Sequence, residues 1–263
     1  MSGQGFMNFY TAAHTDVGIK KDTNQDSYCI LQAETPKGNI LMAVICDGMG
    51  GLESGEVASA SIIRAFKMWF SKDLPYTLSS DTYFDDVKYE WDRIIKSQNQ
   101  SIAEYGRQHH IQLGSTITAM IVFEDGKYLI GHVGDSRAYK IDNKELTILT
   151  TDQTVVANEV RLGKLTQEEA MRDPRRNVLL QCIGASRIVE PDYIGGLAES
   201  GVCYMLCSDG FRHEISETEI QNALSPIANT DEIQMKNSVT RLIELNKSRG
   251  ETDNITALLI KTC

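Results

Sequence analysis

The chain has no apolar stretch approaching the length of a membrane span, so no membrane partner is expected. Its opening residues, Met1-Ser2-Gly3-Gln4-Gly5-Phe6, lack the basic and apolar regions of a secretory signal. The six cysteines (Cys29, Cys46, Cys182, Cys203, Cys207 and Cys263) form no CxxC pair and no metal-knuckle spacing. Three of them, Cys46, Cys203 and Cys207, lie inside apolar runs, where a reduced thiol behaves as a small hydrophobe. A reduced, cytoplasmic setting is therefore expected. No cysteine sits in a phosphate-cradling loop, which removes the thiol nucleophile. Positive charge is scarce as well: 26 Lys and Arg against 36 Asp and Glu give a net charge of -10. That balance argues against a nucleic-acid backbone or an anionic membrane as the main partner. Internal repeats and low-complexity segments are absent.

What is present is a chain of 263 residues, 41% of them hydrophobic, enough for a sizeable core. One domain spanning 1–263 is expected. Apolar runs predict strands near 9–14, 27–33, 39–46, 115–123, 127–133, 137–142, 146–149, 202–207 and 254–261. Three-and-four spacing predicts helices over Glu53–Phe70, about Tyr83–His110, and Asp231–Arg249 with Asp231 as N-cap and Gly250 as stop. Ile233 is expected on the apolar face of the last. Strands arrive in runs with helical pairs between them, which favours antiparallel sheets packed face to face with helices outside. Residues 152–177 fit neither the strands nor the core. They are expected to form a surface flap, with Thr166 and Glu169 at capping-box spacing.

The informative feature is where the strongest apolar runs stop. Ile40–Cys46 ends at Asp47-Gly48-Met49-Gly50-Gly51, and Val202–Ser208 ends at Asp209-Gly210. Asp253 opens the closing strand, and Asp135 sits where an apolar stretch turns back. Two unit charges about 4 Å apart repel by roughly 4 kcal/mol at an effective dielectric near 20. Four such carboxylates at one edge need protons or divalent cations. Oxygen-only ligation favours magnesium or manganese over zinc, and a shared carboxylate would suit a two-metal hydrolase with a bridging water as nucleophile. Taken singly, each is equally a turn: Asp-Gly after a strand commonly is one, Asp135 can pair with Arg137, and Asp253-Asn254 can satisfy its own backbone.

Five ordered segments carry a resemblance. They are Asp47-Gly48-Met49-Gly50-Gly51 through Gly55-Glu56-Val57-Ala58-Ser59, Gly114-Ser115-Thr116, Gly131-His132-Val133-Gly134-Asp135-Ser136-Arg137, Cys207-Ser208-Asp209-Gly210 and Thr252-Asp253-Asn254-Ile255-Thr256. Together they resemble the motifs of the metal-dependent type-2C serine/threonine protein phosphatases. The bacterial branch is the nearer, through Thr151-Asp152-Gln153-Thr154 and Asp173-Pro174-Arg175-Arg176-Asn177. The resemblance implies an α+β fold, a central antiparallel β-sandwich flanked by helices on both faces (four layers, α-β-β-α). It implies two Mn2+ or Mg2+ ions held by Asp47, the carbonyl of Gly48, Asp209 and Asp253, with Asp135 and Asp209 at a third. Asp26 would orient the water, and Lys21 would bind substrate phosphate. Partners would be phosphorylated proteins, including a serine/threonine kinase or its targets, in a signalling role. A monomer is expected.

The pattern departs from the family at three positions. Lys21 stands where an arginine is usual, giving a point charge without the bidentate fork. Gln25 replaces a glutamate, and His213 an aspartate, the latter at the outer metal or merely at the surface. His14 and His132 are expected to be structural. A competing reading is a catalytically weak, phosphoprotein-binding adaptor of the same fold. A two-metal nuclease is disfavoured, because no basic stripe exists.

Overall fold

The computed structural model describes residues 7–50 and 54–263; Met1–Phe6, Gly51 and the expected helix start at Glu53 lie outside them. Twelve strands form among the described residues: β1 Phe9–Asp16, β2 Ser27–Thr35, β3 Gly38–Cys46, β4 Gly48–Gly50, β5 Leu113–Ser115, β6 Ile117–Val122, β7 Lys127–Val133, β8 Arg137–Ile141, β9 Leu146–Ile148, β10 Asp192–Leu197, β11 Cys203–Cys207 and β12 Ile255–Thr262. One sheet runs β1-β12-β11-β8-β9 and the other β10-β7-β6-β3-β2, with β4-β5 as a separate small ribbon. All named pairings are antiparallel.

Strand alternation builds the layers. Leu41, Ala43 and Ile45 of β3 meet Ala138, Leu206, Leu258 and Ile260 between the sheets. Met42, Val44 and Cys46 point the other way, onto α1 (Gly55–Lys72) and α3 (Tyr83–His109), which precede and follow the short α2 (Leu74–Thr77). There Ile62, Phe66, Trp69, Trp91 and Ile95 are fully covered, and Trp69 meets Trp91 edge-on at 5.8 Å. The flap contributes α4 (Val155–Arg161) and α5 (Gln167–Arg172). On the far side, α6 (Glu217–Leu224) and α7 (Glu232–Ser248) cover the first sheet, with Val239, Leu242 and Ile243 against Met205, Ala257 and Leu259. The arrangement is the four-layer α-β-β-α sandwich expected from the resemblance. Among the described residues no helix is long and apolar enough to cross a membrane.

The helix ends follow local chemistry. Asp231 caps α7 by accepting from the Gln234 N–H, as expected. Both halves of the Thr166–Glu169 capping box are present. His110 takes a left-handed φ of 56° and ends α3 one residue earlier than the periodicity suggests. The short β4 and α2 escape the sequence pattern, and so do two longer elements. β10 carries Gly195-Gly196 on an outer edge of its sheet, and α6 buries only Ile220 and Leu224 over its eight residues. Ile233 is a correction: it is 74% exposed, because its position in the first turn of α7 lies off the buried face.

Candidate metal centre

The sheets deliver their acidic residues to one end of the sandwich. Asp47 follows β3 directly, and its backbone is pinned on both sides. Its N–H donates to Thr116 Oγ1 at 3.0 Å, while its carbonyl accepts from the Thr116 N–H at 2.9 Å and from Ser115 Oγ at 3.0 Å. Gly48 comes next, where an added Cβ would lie 2.2 Å from the Gly55 carbonyl oxygen and 2.5 Å from that of Gln25. Only glycine allows this approach. The Gln25 side chain, with its amide nitrogen toward Gly48, bonds the Gly48 carbonyl and the Gly55 N–H, each at 3.2 Å. That leaves a lone pair of the Gly48 carbonyl for another partner.

Asp26, just ahead of β2, is buried. Its Oδ2 accepts from Ser208 Oγ at 2.8 Å and Thr256 Oγ1 at 2.6 Å, joining it to the ends of β11 and β12. Its Oδ1 is buried with no hydrogen-bond partner among the described residues. Asp209 opens a single 3-10 turn, Asp209–Phe211, after β11. Asp253 lies before β12 and pairs with Lys21 Nζ at 3.1 Å, both side chains being about two-fifths exposed. Asp135 is buried in the turn between β7 and β8.

The groups act strongly on one another. Burial pushes Asp47 well above the usual carboxylate range, and Asp26, Asp209, Asp135 and Asp253 all push it further. Burial, reinforced by Asp209 and Asp253, pushes Asp26 up to about 7 against the hydrogen bonds from Thr256 and Ser208. Burial and then Asp209 push Asp135 up to about 7, with Arg212 and His213 opposing. The other four carboxylates predicted from the sequence are therefore brought within electrostatic reach of Asp47. Among the described residues no three His, Cys, Asp or Glu side chains close into a ready-made cage. The donor set nevertheless fits a hard divalent cation: its members are oxygens, one buried oxygen is orphaned, and the shared negative charge exceeds the local positive charge.

Further residues in this region were not picked out as site residues by sequence reasoning. Arg137 does not pair with Asp135. It grips Asp152 bidentately at 2.7 and 2.8 Å, and Arg212 joins at 3.2 Å while also donating to the Asp135 carbonyl at 3.1 Å. Burial alone would raise Asp152, but the Arg137 bonds and the Arg212 charge outweigh it and hold it below the usual range. His213 is not a surface residue: Nδ1 lies 3.0 Å from Glu251 Oε2 and Nε2 lies 3.5 Å from Asp209 Oδ2. Burial would lower its pKa, yet the Glu251 bond and the Asp209 charge raise it. His132 is buried in β7 between Thr118 and the Thr151 carbonyl, and His14 lies on β1 beside Lys236. Among the described cysteines only Cys263 is exposed. Burial raises the thiols of Cys46 and Cys182 near the cluster, so neither is a nucleophile.

A model of the protein phosphatase 2C family matches residues 17–259. Protein phosphatase PhpP of Streptococcus pneumoniae is 30% identical over 251 residues, 94% of each chain. The S. agalactiae serine/threonine phosphatase superposes with a TM-score of 0.81 at 30% identity, over 97% of this chain and 99% of that one. The catalytic domain of serine/threonine protein phosphatase PstP, solved in complex with two manganese ions, gives 0.79 at 29% identity over 97% and 99%. The carboxylates at the strand ends thus stand in a fold and a sequence frame shared along nearly the whole chain, which belongs to the protein phosphatase 2C family.

Proposed function

We propose that the carboxylate cluster is the metal centre of a protein serine/threonine phosphatase, which removes phosphate from phosphoserine and phosphothreonine with the help of Mn2+ or Mg2+. The observation that carries this reading is geometric: Asp47, at the end of β3, is surrounded by Asp26, Asp135, Asp209 and Asp253, which the other strand ends and turns bring within electrostatic reach of it. Asp47, the Gly48 carbonyl, Asp209 and Asp253 would hold two ions, and Asp135 with Asp209 a weaker third. When bound, the ions supply charge neutralisation, a template for the phosphoryl group and an activated water.

The chain's own residues do the rest. Asp26 keeps Oδ2 fixed by Ser208 and Thr256, and its free Oδ1 is the proton acceptor that orients the attacking water. Lys21 holds Asp253 in the structure. Were Asp253 to hold a cation, Lys21 would be released from it and free to bind the substrate phosphate. The substrates on this reading are phosphoproteins, a kinase or its targets among them, met by a cytoplasmic monomer.

The test is hydrolysis of para-nitrophenyl phosphate and of a phosphothreonine peptide with and without Mn2+. Metal-dependent turnover of both is expected. A protein that binds the peptide without turning it over would instead be the adaptor. Lys21→Arg, which adds the bidentate fork, is expected to lower KM for the peptide by about threefold and to change kcat less. A change confined to kcat would contradict a phosphate-binding role.

A further inference from the structure

Three consecutive residues at the entrance of the flap are bound to β7, β8 and the turn between them that carries Asp135. The Thr151 carbonyl lies 3.2 Å from His132 Nε2 on β7. Asp152 takes Arg137 and Arg212, and Arg212 reaches on to the Asp135 carbonyl at 3.1 Å. Gln153 closes a two-point bond with Gly134: its N–H donates to the Gly134 carbonyl at 2.8 Å, and its Oε1 accepts the Gly134 N–H at 2.9 Å. The same side chain donates to Asp192 at 2.8 Å and accepts from Gln181 Nε2 at 2.9 Å, while the Leu180 N–H bonds the Gln153 carbonyl at 2.7 Å. Both legs of the flap, entering at Gln153 and leaving at Leu180-Gln181, thus meet on one amide.

The attachment point has a particular weakness. Gly134 has a φ of +109°, and a Cβ there would lie 2.5 Å from Thr116 Cγ2. The residue before Asp135 must therefore be glycine, which has no side chain to fix its own peptide planes. Bonds from outside the turn have to fix them, and Gln153 supplies two.

We propose that Asp152 and Gln153 are positioning residues: they hold the Gly134-Asp135 turn and lock the flap to it, so that the flap and the outer carboxylate of the site move as one unit. The inference rests on Asp135 serving the metal centre. Asp152 acts through Arg212 on the Asp135 carbonyl, and Gln153 acts through the Gly134 peptide. Neither touches the reacting phosphate. Preorganisation of this kind matters because sub-ångström errors in a site are costly.

The experiment uses the full chain with Gln153→Ala and Arg212→Lys. The second keeps the positive charge but gives up the planar fork that joins Asp152 to Asp135. Three readouts are taken: kcat and KM on para-nitrophenyl phosphate, Mn2+ binding by calorimetry without substrate, and the melting temperature. Each variant is expected to lose about tenfold in kcat with KM within twofold, and to weaken its lowest-affinity Mn2+ step about fivefold. Gln153→Glu combined with Asp192→Asn rebuilds the donor and acceptor pairing and is expected to recover kcat to within threefold of wild type. Wild-type kcat and Mn2+ isotherms in both single variants overturn the inference, as does a loss that follows the melting temperature alone. If wild type shows no metal-dependent turnover, the phosphatase reading fails. The Mn2+ isotherms then still decide whether the latch exists.

Discussion

Asp47→Asn is expected to lower Mn2+-dependent turnover by on the order of a thousandfold, and at the same time to make the metal-free protein more stable at pH 8. The two effects share one cause. Asp47 carries a charge that burial and four neighbouring acids oppose. Asparagine keeps the shape and one oxygen but removes the charge. A metal centre loses its shared ligand, while the empty fold loses a source of repulsion. Relief of about 1 kcal/mol raises the melting temperature by roughly 2–4 °C for a chain of this size. Rates on para-nitrophenyl phosphate and thermal melts in a chelator check both halves. Turnover within tenfold of wild type would remove Asp47 from the centre. A lowered melting temperature in chelator would mean that its charge is already compensated.

Stripped of divalent cations, the protein should melt higher at pH 5.5 than at pH 8, and Mn2+ should reverse that order. The sign follows from proton counting. Burial and neighbouring acids raise Asp26 and Asp135 to about 7 in the fold, and push Asp47 well above the usual carboxylate range, against an ordinary value of 3.8. Between those values the folded state holds protons that the unfolded chain has released, so stability falls as pH rises. His213, raised by Glu251 and Asp209 against burial, adds stability below its folded pKa and loses it in the same direction. Burial lowers His132 and His14, which work the other way, but their contribution is complete once pH exceeds 6.5. Asp152 and Glu251, held low, have stopped changing by pH 5.5. Mn2+ binds the ionised carboxylates of the folded state and so stabilises most at high pH. An Mn2+-induced rise of about 5 °C or more at pH 8 is expected by scanning calorimetry. A metal-free melting temperature that is flat or rising from pH 5.5 to 8 would refute the account, as would no response to Mn2+.

The parts of this molecule that its sequence discloses are those whose signal is local. Runs such as Ile40–Cys46 and Val202–Cys207 are buried on both faces, so their apolar character is unbroken and their ends are sharp. Each ends on an aspartate that the fold carries to the same end of the sandwich. β10 was silent because an edge strand with two glycines needs little apolar surface. α6 was silent because two buried side chains are too few to show a period. The partners of Asp152 lie 15 and 60 residues away along the chain, and no spacing rule connects them. No motif in the sequence marks Arg212, two residues after Asp209-Gly210. Its role shows only when β8, the flap and the turn after β11 are placed together.

The pinning of Asp47 to Ser115 and Thr116 has a consequence for how the chain finds its fold. Polarity normally sets strand register, because a one-residue slip exposes the apolar face. β3 is apolar on both faces and no more than 1% exposed from Ile40 to Cys46, so a slip would cost it little in burial. The two-residue turn after β2 fixes β3 against that strand, so alignment against β6 falls to its other end, where the Asp47 backbone meets Thr116 through two bonds and Ser115 through a third. Substitutions at Thr116 would then act first as alignment errors during folding, yielding misregistered and aggregation-prone chains before any effect on chemistry is felt.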